Sequence, residues 1–109
     1  MEQLARGTIS GPEARGRVSV VAAPDGSRTL EITELWVAPG APDVRLYVSP
    51  RADGTVDETA VELGPVADGE ASQGWRFPAD LSASTATTVV VYCHVYSVYF
   101  GHAALEWAS

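Results

Sequence analysis

The stretch RGRVSVVAAPDGSRTLEITELWV, from Arg15 to Val37, decides the fold. In Arg17-Val18-Ser19-Val20 polar and apolar residues alternate, so a strand there turns one face to water and the other to a core. Pro24-Asp25-Gly26 breaks the run, and glycine accepts the positive φ that a tight hairpin turn requires. The pattern predicts two strands, Arg15 to Ala22 and Ser27 to Val37, paired antiparallel as sequence neighbours.

The same alternation of short runs and breaks extends in both directions. Turn residues recur at Gly7, Gly11-Pro12, Gly16, Pro39-Gly40-Ala41-Pro42, Pro50, Asp53-Gly54, Gly64-Pro65, Asp68-Gly69, Gly74 and Pro78, which leaves no room for a long helix. Between them lie runs rich in Val, Thr, Tyr and Leu: Val44 to Ser49, Thr59 to Val66, Gln73 to Phe77, Thr87 to Tyr92 and Val98 to Leu105. Roughly seven to nine short strands without intervening helices predict an all-β chain, an antiparallel β-sandwich, with a β-barrel as the alternative. Asp80-Leu81-Ser82-Ala83-Ser84-Thr85 predicts at most one short helical turn, with Asp80 accepting backbone N–H bonds at its start.

A length of 109 residues suits one domain over 1–109, large enough to bury a core without disulfides or metal. The net charge of −7 arises from seven arginines against fourteen acids, with no lysine. Such a chain lacks the basic surface that holds phosphate backbones, so nucleic acid is excluded as a partner class. No run approaches the roughly 18 apolar residues of a membrane span, so direct membrane insertion is not expected. The acids of the turns, Asp53, Asp57, Glu58, Asp68 and Glu70, do not follow calcium-loop spacing and read as solvated. Phosphate-cradling glycine loops, G-x-S-x-G elbows and H-E-x-x-H motifs are absent, and hydrolase chemistry has no specific support.

Cys93 is the one cysteine, set in the most apolar run, Val89-Val90-Val91-Tyr92-Cys93. It reads in three ways: a reactive thiol, a ligand, or core filling. Free cysteine is among the most buried residue types, whereas reactivity needs an opening to solvent and a nearby cation. His94 follows it, but in a regular strand consecutive side chains point to opposite faces, so adjacency makes no thiol–imidazole pair. His94 and His102 share a parity. An unbroken strand would hold them about 26 Å apart, and a single metal ion requires a fold-back near Tyr96-Ser97. The nine aromatic residues, concentrated in the second half, suit core packing, a stacking platform for a flat ligand, or a relay for electron hopping.

Gly7-Thr8-Ile9, Gly16, Asp25-Gly26-Ser27-Arg28, Pro42 to Ser49, Glu62-Leu63-Gly64-Pro65, Pro78-Ala79-Asp80-Leu81, Val89 to Cys93, Tyr99-Phe100-Gly101 and Leu105 together resemble the DM-thirteen domain, over about residues 7–105. That resemblance implies a β-rich domain of secreted or membrane-anchored proteins, hence an extracytoplasmic setting. It also implies a proposed role in electron transfer centred on a cysteine, either as a bare thiol or as ligand to a prosthetic group such as haem. Cys93 stands at that cysteine's place, and a membrane-bound electron carrier or another protein is the implied partner. A histidine common after the family's first glycine motif is replaced here by Gly11-Pro12-Glu13-Ala14-Arg15, which removes one candidate haem ligand. The competing reading is a non-catalytic protein- or ligand-binding β-sandwich with a structural cysteine.

Overall fold

The computed structural model describes residues 2–40, 43–67 and 69–108. Ala41-Pro42 of the predicted turn, and Asp68 among the acidic turn residues, lie outside the described residues. Among the described residues nine strands follow in chain order: β1 (Glu2–Ile9), β2 (Ala14–Ala22), β3 (Arg28–Val37), β4 (Val44–Ser49), β5 (Val61–Pro65), β6 (Gln73–Arg76), β7 (Thr88–Cys93), β8 (Val98–Ala104) and β9 (Glu106–Trp107). They form two antiparallel sheets, β6-β3-β2-β1-β9 and β5-β4-β7-β8, which do not close into a barrel. The sandwich reading of the sequence is therefore correct.

The Arg15 to Val37 hairpin forms as its pattern dictates. Val18 pairs with Ile32 and Val20 with Leu30, and all four are buried while Arg17 and Glu31 face water. Gly26, with φ of 90°, closes the turn, donating its N–H to the Ala23 carbonyl. Further along, Glu34 takes a φ of 53° at a register shift, and Leu35 swings back into the core opposite Gly16. A Cβ at Gly16 would lie 2.7 Å from the Ile32 side chain, so only glycine lets the bulge pack there.

Between the sheets lies one apolar layer that includes Ile9, Val18, Leu30, Ile32, Leu46, Val48, Phe77, Val89 and Val91. Each large aliphatic or aromatic side chain so buried contributes about 1.5–3 kcal/mol of transfer free energy. At one end the segment after β6 crosses between sheets, and Arg28 fixes it by donating to the carbonyls of Pro78 at 2.9 Å and Leu81 at 3.1 Å. The predicted helical turn is present only as a single turn in which the Ala86 N–H reaches the Ser82 carbonyl. The Ser82 N–H donates to the Thr85 hydroxyl oxygen, the place that the sequence assigned to Asp80.

Along one flank the sheets are tied together. Ser10 and His102 exchange backbone bonds, and the Glu13 N–H reaches the Phe100 carbonyl. The backbones approach so closely that a Cβ at Gly11 would strike the Phe100 oxygen and lie 2.5 Å from the Gly101 Cα.

Candidate functional site

Cys93 is the last residue of β7 and is 1 % exposed. It is paired with Val44 on β4 and Val98 on β8, and its side chain joins the inter-sheet core. The five residues that follow it, His94 to Val98, are all exposed, with Val95 at 58 % and Tyr96 at 68 %. The sulfur thus sits at the rim of the sandwich, directly beneath the β7–β8 turn. Ser97 in that turn has a φ of 53°, a conformation that costs a residue with a Cβ about 1–2 kcal/mol. Of the three readings of Cys93, core filling describes the packed state.

A haem ligated by Cys93 would need a cavity as wide as its ring beside the sulfur. The side chain is instead packed within the apolar layer. Among the described residues, no three His, Cys, Asp or Glu side chains converge as a metal site would require. The residues present do not fit a haem in this packing.

The histidines lie on the other side of the four-stranded sheet. The chain does fold back at residues 94–97, yet it does not bring the two imidazoles onto one ion. Each meets a tyrosine instead. His94 Nδ1 is 3.1 Å from the hydroxyl of Tyr47, and His102 Nδ1 is 2.5 Å from that of Tyr99. Tyr47 and Tyr92 meet edge to face, with centroids 5.9 Å apart, and Tyr92 lies directly opposite Tyr99 across the β7–β8 ladder. Burial pushes the phenol pKa of both Tyr47 and Tyr99 above its ordinary value of 10.0.

Two features of the chain build this outer face. A register shift between Val91 and Tyr92 lets three β8 residues, Tyr99 to Gly101, span two positions on β7. Tyr99 and His102, of opposite parity, consequently share a face. The second feature is the loop after β4, which lies over His102: Gly54, with φ of 78°, is so close that a Cβ would be 3.1 Å from the imidazole Cγ. Nearby, Arg45 is gripped by both oxygens of Asp43 at 3.0 Å and by Glu62 at 2.8 Å, pinning β4 to β5. The sequence named both histidines and the aromatic set but paired none of them.

Among the described residues no helix is long and apolar enough to cross a membrane. A family model described as "Electron transfer DM13" matches residues 9–105, nearly the whole chain. No curated protein and no solved structure matches it.

Proposed function

We propose, from the premise that this chain belongs to the electron transfer DM13 family, that it is an extracytoplasmic electron-transfer domain working through Cys93. The supporting observation is the position of that sulfur, buried at 1 % yet immediately followed by a wholly exposed four-residue turn, His94 to Ser97. Local opening at a strand end costs less than global unfolding, so the β7–β8 turn is the economical route to the thiol.

The chemistry open to a lone cysteine is thiol–disulfide exchange. On opening, the thiol loses its proton to water and the thiolate attacks one sulfur of a partner's disulfide. A mixed disulfide forms and the partner's other sulfur leaves as thiolate. A thiolate of a second, dithiol carrier then attacks the Cys93 sulfur, releasing the partner as a dithiol, and that carrier's other thiol frees Cys93 by closing the carrier's own disulfide. An electron pair thereby passes from the dithiol to the partner's disulfide while the domain returns to its starting state. The partner is an electron carrier that presents a redox-active disulfide, membrane-bound as the family's setting implies.

Maleimide labelling of the native protein tests this reading. Labelling faster than the global unfolding rate measured under the same conditions supports it, and labelling only as fast as global unfolding removes it. A second reading, a non-catalytic binding module, draws on the exposure of Val95 and Tyr96. In that case Cys93→Ala leaves partner binding intact while Tyr96→Ala weakens it.

A further inference from the structure

The outer face of the four-stranded sheet carries an arrangement that the Cys93 chemistry does not use. Three phenols run in contact or in cross-strand register from Tyr47, 6 % exposed, through Tyr92 to Tyr99, 37 % exposed. The two end phenols each meet an imidazole Nδ1 within hydrogen-bond reach. A phenol yields an electron at moderate potential only when its proton leaves at the same time, and the proton needs an acceptor already in place. Packing alone asks for no such acceptor at both ends of the row.

We propose that Tyr47, Tyr92 and Tyr99, with His94 and His102 as proton acceptors, form a proton-coupled one-electron relay across this face. In the tautomer with its proton on Nε2, His94 presents a free Nδ1 lone pair to Tyr47. Tyr47 passes one electron to a high-potential one-electron oxidant, an oxidised metal complex, and its hydroxyl proton to Nδ1. The products are a neutral phenoxyl radical, an imidazolium, and the oxidant reduced by one electron. Return of an electron to the phenoxyl draws the proton back, so atoms and charge balance over the cycle. Tyr99 and His102 perform the same step at the exposed end, where the loop at Gly54 shields the imidazole. Tyr92 links the ends, being edge-on to Tyr47 and opposite Tyr99. Tyr96, at 68 % exposure in the turn, lies outside the row and serves as the internal control.

The relay stands independently of the thiol chemistry, so its test uses the full chain carrying Cys93→Ala. Flash oxidation with tris-bipyridine ruthenium and persulfate, followed by freeze-trapped electron paramagnetic resonance, reads the phenoxyl yield. Tyr47→Phe together with Tyr99→Phe is expected to lower that yield about tenfold or more, and His94→Gln with His102→Gln to do the same with every tyrosine retained. Tyr96→Phe leaves it unchanged, and radical formation slows in deuterated water. A yield unaffected by loss of the two histidines, or one abolished by Tyr96→Phe, overturns the proposal. Should the double variants fail to fold, His94→Gln alone, on the exposed turn, must still lower the yield of the Tyr47 radical.

Discussion

Cys93 and His94 are consecutive in the chain and face opposite sides of the same sheet: the sulfur enters the core, while the imidazole lies 3.1 Å from the Tyr47 hydroxyl. Strand geometry therefore divides the chemistry of this region into two compartments, a thiol inside and a row of phenols and imidazoles outside. Perturbing one leaves the other in place.

The core position of Cys93 fixes the ranking of its substitutions. Cys93→Ala leaves a small cavity and is expected to cost about 1–2 kcal/mol. Cys93→Ser fits the space but buries a hydroxyl among valines, which adds an unpaired polar group worth about 1–3 kcal/mol. Urea denaturation should therefore show serine as the more damaging replacement, despite its closer shape.

The tie between sheets at Gly11 tolerates no side chain. Gly11→Ala drives a Cβ into the backbone of Phe100 and Gly101, which cannot rotate away as a side chain would, and is expected to cost about 2–3 kcal/mol. Gly26→Ala offers the comparison. Nothing lies within 4 Å of that site, so only its φ of 90° is penalised, by about 1 kcal/mol. Paired denaturation curves separate the two effects.

Much of this fold is written in local pattern. The hairpin from Arg15 to Val37 announces itself by alternation and by Pro24-Asp25-Gly26, and the remaining predicted strands match β4 to β8 within a few residues. β1 escapes because its apolar residues are sparse and a register shift between Gln3 and Ala5 breaks their period. β9 is two residues long and exists only because β1 offers an edge and Ala86 accepts the Trp107 indole N–H. The phenol–imidazole pairs were beyond sequence reasoning for related reasons. Tyr47 and His94 are 47 residues apart, and Tyr99 meets His102 only through a bulge that no parity rule anticipates. The signal that was present is compositional, both histidines and three tyrosines falling in β-rich segments.

Arg45 is held by two carboxylates, Asp43 first and then Glu62, which raise its pKa further above its ordinary range. Its side chain and those of its partners are a quarter to two-fifths exposed, so solvent screens the attraction. A double-mutant cycle on Arg45 and Glu62 is expected to show only a weak coupling, falling towards zero in molar salt. Denaturation at two salt concentrations provides the check.

Alkaline pH should weaken the fold through the same tyrosines that form the outer row. For Tyr47, burial is the largest cause of the raised pKa, followed by the negative charge of Glu62. Below the ordinary value of 10.0 the phenol is neutral in both folded and unfolded chains, and its contribution to stability is complete. As pH rises past that value the unfolded phenol ionises first, so stability declines until the folded group titrates as well. Tyr47→Phe should flatten this decline, and thermal melts across the alkaline range, alongside ultraviolet titration of the phenols, would show it.

The pairing of β1 with β9 carries a consequence for how the protein is made. Ala5 and Arg6, synthesised well before β9, find their edge partners in Trp107 and Glu106. While a ribosome is still extending the chain, the five-stranded sheet therefore lacks its border, and β1 presents open N–H and C=O groups to any neighbouring nascent chain. A late-arriving dipeptide, anchored by the indole of Trp107 on Ala86, covers that edge at Ala5 and Arg6. Damage at β9 would accordingly be felt first as a loss of soluble yield, before any change in the finished molecule's chemistry.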